Sequence, residues 1–249
     1  MSSHVNGWYP VMLRLAGKRC IVVGGGPVAE RKVLSLLEAG ADEIVVISDQ
    51  MTESLERWGE EGGIRLIHRL YREGDLAGSS LVIAATNDPA VNTAIAAEAE
   101  RLRIWVNIAS DGESGTMITP AVVRKGELIV ALSTGGASPA LAAKLRTELE
   151  QLLGDDYEPR LRALRMLRER LLGMRRYGYS GEVGNPPFDD SAMRRKLLRA
   201  AAEDELGWRT VAALLPDSLY NEEQSEINYT IELCEELDRW IERLKTQQT

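Results

Sequence analysis

Short apolar runs alternate with amphipathic stretches through the first part of the chain. Five runs rich in β-branched residues predict buried parallel strands, over residues 20–23, 44–47, 64–67, 81–85 and 104–106. Between them, apolar residues at helical spacing predict helices over 28–39, 51–58 and 90–102. The order β-α-β-α-β-β-α-β is typical of a doubly wound parallel sheet, so we expect an α/β fold.

The pattern changes after the last of these strands. Residues 116–123 and 128–132 have the pattern of two further strands, joined by a hairpin turn at 124–127. An isolated hairpin is marginally stable, so we expect it to join another sheet edge, most simply that of a second subunit. A helix is predicted from residue 139 to about 153, with Ser138 as its N-cap.

Beyond Gly154 the apolar spacing is wholly helical. A leucine stripe predicts one helix, through Leu161, Leu164, Leu167 and Leu171. Further helices are expected around 193–202 and 227–244, and a polar loop with Gly and Pro is expected over 177–187.

The first strand-to-helix turn carries three glycines, in the segment RCIVVGGGPVAE. Gly24, Gly26 and Ala29 fit G-x-G-x-x-A, the dinucleotide-binding fingerprint of a Rossmann unit. Gly24 permits the tight turn, and Gly26 lets a pyrophosphate approach the backbone at the positive end of the following helix. The alternative is a glycine-rich turn that binds nothing. The succession of strand, turn, helix, strand and acid favours the nucleotide site.

The other predicted strands also end in polar residues. Asp49 follows the second strand, about 20 positions beyond the glycines, where an acid holds the ribose hydroxyls and favours NAD over NADP. Ser48 precedes it, and Thr86 and Asn87 follow the fourth strand. Ligands of doubly wound sheets lie beyond the carboxyl ends of the strands, so we expect the cofactor at this rim.

Composition narrows the possible partners and compartments. The net charge of −8 and pI near 5.1 disfavour nucleic acid as the main partner. Two cysteines without a CxxC pair, and two histidines, cannot assemble a zinc or iron–sulfur site. No apolar stretch reaches membrane-spanning length, so we expect a reduced, cytoplasmic protein with no membrane contact, and Cys20 as inert core.

Three longer blocks carry a family resemblance: YPVMLRLAGKRCIVVGGGPVAERK, LVIAATNDPAVN and VNIASDGESGTMITPAVVRKGELIVALSTGGASPALAAKLR. The chain resembles the precorrin-2 dehydrogenase family, the N-terminal Rossmann module of sirohaem synthase. The resemblance implies NAD-dependent oxidation of precorrin-2 to sirohydrochlorin, toward sirohaem and in some organisms cobalamin. It also implies three parts: a Rossmann domain (1–112), a strand-rich dimerisation region of hairpin plus helix (113–153) and a helical domain (154–249).

The resemblance also assigns residues. The family's NAD contacts fall on Pro27 and Val28 in the turn, and on Ser48 and Asp49 after the second strand. Members that also insert metal usually carry an aspartate three residues after the asparagine that corresponds to Asn107. This chain has Ser110 there, with Asp111 one place later. We therefore expect poor metal insertion and a possible hand-over of product to a separate chelatase.

The candidate chemistry uses two polar loops. Asp111 is the carboxylate we nominate as a base for proton loss, with Ser110 as a hydrogen-bonding group. That Asp111 only shapes a Ser-Asp-Gly turn is an equal alternative. The substrate is a flat ring with many carboxylates. We expect Asn107 and a loop before a helix N-terminus to bind it, the loop residues being Ser133, Thr134, Gly135 and Gly136. A purely structural strand-to-helix turn is the alternative for this loop.

Two other functions compete with a simple dehydrogenase. One is a bifunctional precorrin-2 dehydrogenase and sirohydrochlorin ferrochelatase. The other is a non-catalytic NAD-binding module that senses redox state through its helical tail. Metal insertion into sirohydrochlorin identifies the first, and absence of tetrapyrrole binding identifies the second. In each case we expect a homodimer.

Overall fold

The fold is described from a computed structural model, over residues 7–112, 114–172, 190–215 and 231–247. The chain divides into two compact units: Met1–Ala121 with Ser133–Ala142, and Val122–Leu132 with Ala143–Thr249. The three-part division at residues 112 and 153 stays a prediction. No described helix is long and apolar enough to cross a membrane.

The first unit contains a five-stranded parallel sheet in the order β3-β2-β1-β4-β5. Its elements are β1 (Arg19–Val23), α1 (Pro27–Glu38), β2 (Glu43–Ser48), α2 (Glu53–Glu60), β3 (Arg65–His68), β4 (Leu81–Ala84), α3 (Pro89–Leu102) and β5 (Trp105–Ile108). The chain moves outward from β1 through β2 to β3, then returns to the other side of β1 for β4. This reversal is the switch point beside which dinucleotides bind. The predicted α/β Rossmann fold is confirmed.

Both faces of the sheet are covered, which explains why its strands are apolar without alternation. Cys20 and Val22 point to the face where α1 packs through Ala29 and Val33. On the opposite face, Ile21, Val23 and their neighbours pack against α3 through Ile95 and Ala99. The two cores hold the carboxyl ends of the strands at one edge.

The predicted hairpin forms, but its boundaries differ from the prediction. β6 (Ala121–Lys125) and β7 (Leu128–Leu132) make a two-stranded sheet. Arg124 and Lys125 therefore lie in β6 rather than in the turn, because Gly126 adopts φ +57° and lets two residues close it. Residues 116–120 are not a strand of this hairpin. The backbone N–H groups of Thr116 and Met117 instead donate to the carbonyl of Val106 on β5, at 2.9 and 3.1 Å.

The described part of the second unit beyond the hairpin is helical, as predicted. α4 (Pro139–Leu152) leads into it, followed by α5 (Tyr157–Leu172), α6 (Ser191–Glu203), α7 (Glu205–Ala213) and α8 (Ile231–Thr246). Helices α5 to α8 share one core, in which Trp240 is fully buried. The sequence reading missed α7, since only Asp204 separates it from α6. The loop expected at 177–187 lies outside the described residues.

Candidate functional site

The glycine turn after β1 has two positions where only glycine fits. Gly24 adopts φ +115°, and a Cβ on it would lie 2.4 Å from the carbonyl oxygen of Ala85. A Cβ on Gly25 would lie 1.9 Å from the carbonyl oxygen of Gln50. These two glycines therefore let the chain turn tightly against the ends of β4 and β2. The requirement at Gly25 was not foreseen, because the fingerprint leaves that position free.

Gly26 differs from both, because a Cβ there would have nothing within 4 Å. It is the N-cap of α1, has ordinary φ −83°, and Pro27 follows at the first helical position. Within the described ranges, no side chain caps this helix end. The first backbone N–H groups of α1 therefore face open space with the positive end of the helix dipole behind them. A phosphate group of a dinucleotide fits this place.

Ser48 and Asp49 end β2 on the neighbouring side of the turn. Ser48 Oγ accepts a hydrogen bond from the backbone of Gln50 at 3.4 Å, and the backbone N–H of Thr52 donates to the carbonyl of Gly25 at 3.0 Å. The second bond ties the segment after β2 to the glycine turn. The Asp49 carboxylate is exposed and makes no hydrogen bond or ion pair within the described part of the chain. It is available to accept hydrogen bonds from a ribose diol.

A buried asparagine joins the ends of β4 and β5. Asn92, on α3, is 5% exposed. Its Oδ1 accepts from Thr86 Oγ1 at 2.7 Å, and its Nδ2 donates to the Thr86 carbonyl at 3.1 Å. The same Nδ2 lies 3.4 Å from Ser110 Oγ. Two predicted site residues on different strands are thus brought together, while Asn87 beside them is exposed. The sequence analysis did not identify Asn92 as a site residue, although Asn92 ends the segment LVIAATNDPAVN that carries the family resemblance.

Asn107 lies near the end of β5, and Asp111 lies in the segment that follows the strand. Asn107 is 4% exposed, and its Nδ2 donates to the carbonyl of Met117 at 3.2 Å. Among the described residues its Oδ1 is buried without a partner. The Asp111 carboxylate is exposed and accepts from Ser114 Oγ at 2.6 Å, inside the turn that it was expected to shape. Both alternatives for Asp111 therefore remain open.

In the loop before α4, side-chain hydroxyls accept hydrogen bonds from the backbone of the loop itself. Ser133 Oγ accepts from the N–H of Gly135 at 3.0 Å, and Thr134 Oγ1 accepts from the N–H of Ser138 at 3.1 Å. Gly135 and Gly136 adopt φ +64° and +89°. Because the hydroxyls accept these bonds, their own protons are free to be donated outward. Ser138 caps α4 as predicted, accepting from Leu141 at 3.2 Å.

Trp8 is a second residue that the sequence reading missed. A Cβ on Gly135 would lie 3.9 Å from its Cδ1, so the indole stands beside the loop before α4. The side chain is 38% exposed. A half-open aromatic face next to hydroxyl donors suits a flat macrocycle with carboxylates.

Lys32 connects α1 to the segment that follows the β5 loop. Its Nζ donates to Thr119 Oγ1. Burial, and then the charge of Arg31, lower the pKa of Lys32 from its ordinary value. The helical pattern of VAERK gave no sign that this lysine is inward-facing. No group of three or more His, Cys, Asp or Glu in the described ranges could hold a metal ion.

The chain is similar to known proteins of nucleotide binding and sirohaem biosynthesis. Residues 11–121 match a family described as putative NAD(P)-binding, and residues 125–152 match the central region of sirohaem biosynthesis proteins. The two matched regions follow one another along the chain, and the second carries the name of sirohaem biosynthesis. The resemblance stated from the sequence blocks is thereby confirmed.

The relatives place limits on the comparison. The siroheme synthase of Methylobacillus flagellatus is 40% identical over 148 residues, covering 59% of this chain and 32% of the relative. That of Gluconacetobacter diazotrophicus is 43% identical over 151 residues, again 59% and 32%. The chain therefore spans about a third of the curated relatives it matches. A solved structure of SirC, precorrin-2 dehydrogenase, is 25% identical with a TM-score of 0.64, covering 95% of this chain and 100% of that one.

Proposed function

We propose that this chain is an NAD-dependent precorrin-2 dehydrogenase that forms sirohydrochlorin in sirohaem biosynthesis, or on a branch to cobalamin. The observation that carries the proposal is the open space at Gly26, the N-cap of α1, where an added Cβ would meet no atom within 4 Å. Similarity to SirC over nearly the whole of both chains supports the substrate.

The residues fit NAD in two places. The backbone at Gly24, Gly26, Pro27 and Val28 would hold the pyrophosphate, and Ser48 with Asp49 would hold the adenosine ribose. A free carboxylate at the ribose disfavours the 2′-phosphate of NADP, because two anionic groups would meet there. NAD held there would supply the acceptor for a hydride from a ring carbon of the substrate; with loss of one substrate proton, the products would be sirohydrochlorin, NADH and H⁺.

The protein's part in that reaction is alignment. We assign the hydroxyls of Ser133, which is exposed, and of Thr134, which is half-buried, to substrate carboxylates, with Gly135 and Gly136 giving the loop its shape. Asn107 is assigned to the substrate site from the family resemblance; its Oδ1 is buried without a partner among the described residues, so contact with a substrate N–H group requires the neighbouring segment to move. Asp111 is our candidate for receiving the released proton, directly or through water.

We also infer a homodimer. β6 and β7 form a sheet on their own, and within the described residues no third strand pairs with either edge. Unpaired edges favour pairing with another copy of the chain. Light scattering at micromolar concentration should give twice the monomer mass, and a monomer mass would contradict the inference. We place the protein in the cytoplasm, where its two cysteines stay reduced.

The test of function is a single-turnover assay with purified protein, NAD and precorrin-2, following NADH and sirohydrochlorin together. Equal amounts of both products are expected, with NADP much poorer than NAD. Gly26→Val, whose Cβ would meet no atom within 4 Å, should remain folded and lose activity. NAD binding without turnover would instead favour the redox-sensing module.

A further inference from the structure

The hydrogen bonds around Asn92 fix which of its amide atoms donate and which accept. Thr86 O is a carbonyl and can only accept, so the nitrogen of the Asn92 amide must face it, at 3.1 Å. The amide oxygen then faces Thr86 Oγ1 at 2.7 Å, and can only receive the hydroxyl proton. The orientation of this buried side chain follows from the chemistry of its partners.

Thr86 is therefore left as an acceptor. Its hydroxyl has one proton and two acceptor oxygens within reach, Asn92 Oδ1 at 2.7 Å and the Asp88 carbonyl at 3.2 Å, and the shorter bond to Asn92 takes the proton. The hydroxyl oxygen also accepts from the backbone N–H of Asp88 at 3.2 Å, which leaves one lone pair for a ligand. A ligand group at Thr86 must accordingly be a donor.

Ser110 is left as a donor. The second N–H of the Asn92 amide points to Ser110 Oγ at 3.4 Å, a long bond that occupies a lone pair of the hydroxyl. Among the residues described, no acceptor takes the proton of the Ser110 hydroxyl. A ligand group at Ser110 is therefore best an acceptor.

These two residues stand on the half of the rim that the nicotinamide would use. If Asp49 after β2 holds the adenosine ribose and Gly26 after β1 holds the pyrophosphate, the other half of the dinucleotide crosses the switch point. It then lies over the ends of β4 and β5, which carry Thr86 and Ser110. The nicotinamide carboxamide presents one donor, NH₂, and one acceptor, C=O.

We infer that Asn92 is a positioning residue that sets Thr86 to accept from the carboxamide NH₂ of NAD and Ser110 to donate to its carbonyl. This rests on the proposed function, and it names the residues that orient the nicotinamide ring. A fixed ring orientation presents one face of the ring to the substrate carbon.

The test compares binding of NAD with binding of its 3-acetylpyridine analogue, in which a methyl replaces the carboxamide NH₂. Calorimetry without substrate keeps the readout independent of turnover. The parent protein should bind NAD about 3- to 10-fold more tightly than the analogue, since one neutral hydrogen bond is lost. Thr86→Val should abolish that preference by weakening NAD alone, and Thr86→Ser should restore it.

Ser110→Ala should weaken both ligands by the same factor, about 3- to 10-fold, because both keep the carbonyl. Asn92→Ala should weaken both and remove the preference. Thr93→Val is the matched control: Thr93 is the next residue of α3, and its hydroxyl bonds, in the part of the chain that the structure describes, only the helix carbonyl of Pro89, at 2.8 Å.

The outcomes separate the two claims. NAD binding with an unchanged preference in Thr86→Val would overturn the inference and leave the proposed function standing. A parent protein that does not bind NAD would overturn both. If Asn92→Ala does not fold, the two hydroxyl variants still decide, because neither side chain is fully buried.

Discussion

Gly24 and Gly26, two glycines of the turn after β1, should respond in opposite ways to substitution. At Gly24 any Cβ meets the Ala85 carbonyl at 2.4 Å, and φ +115° is strained for every other residue. Backbone strain and steric overlap together should lower the free energy of unfolding of Gly24→Ala by about 3 kcal/mol or more. At Gly26 the added atoms enter open space and φ is −83°, so only a weaker N-cap is expected, a change below about 1 kcal/mol.

The effect on NAD binding should be the reverse of the effect on stability. A side chain at Gly26 would occupy the place assigned to the pyrophosphate and separate it from the first N–H groups of α1. Loss of one hydrogen bond to a charged group costs about 1.5–3 kcal/mol, which corresponds to roughly 10- to 150-fold in affinity. We therefore expect Gly26→Val to melt near the parent protein while calorimetry shows NAD binding weakened by that factor.

Gly24→Ala provides the comparison, because its main effect should be a lower free energy of unfolding, whereas the main effect of Gly26→Val should be weaker NAD binding. A folded Gly26→Val variant that binds NAD as the parent does would contradict the pyrophosphate site at Gly26. A Gly24→Ala variant as stable as Gly26→Ala would show that the two positions are equivalent, contrary to the contacts described.

Three further predictions concern single side chains. Asp49→Ala should weaken NAD binding more than NADP binding in calorimetry, because only the diol of NAD uses the carboxylate; equal losses would reject Asp49 as the ribose ligand. Wild-type protein should insert Fe²⁺ or Co²⁺ into sirohydrochlorin no faster than the uncatalysed rate, and Ser110→Asp should raise that rate, whereas Asp111→Asn should lower dehydrogenase turnover if Asp111 receives the proton. Burial, then Asp42 and Glu43, raise the pKa of the Cys20 thiol to about 11. Iodoacetamide at neutral pH should therefore leave Cys20 unmodified in the folded protein, and rapid labelling would contradict its place in the core.

Local pattern was sufficient for much of the Rossmann unit. The runs at Cys20–Val23 and Leu81–Ala84 are apolar throughout because helices cover both faces of the sheet, and that pattern differs from the alternation of a one-sided sheet. Gly40, with φ +74°, ends α1 where the spacing placed the helix boundary. These features depend on neighbours in sequence, so sequence periodicity reports them.

The sequence-based predictions were wrong or incomplete where residues far apart in the sequence determine the local structure. Thr116 resembles a strand residue, but its N–H and hydroxyl bond to Val106 on β5, so the segment follows the main sheet instead of the hairpin. Gly25 was passed over because its restriction comes from Gln50 beyond β2. The linking role of Asn92 depends on two strands being adjacent in the sheet, which no local window contains. Side-chain networks between elements are therefore what the sequence reading lacked.

The most direct test of the account is NAD reduction driven by precorrin-2. Purified protein should convert precorrin-2 to sirohydrochlorin with one NADH formed for each molecule of product, and Gly26→Val should abolish both signals while Thr93→Val retains them. Sirohydrochlorin formation at the uncatalysed rate, in protein that is folded and binds NAD, would contradict the central claim.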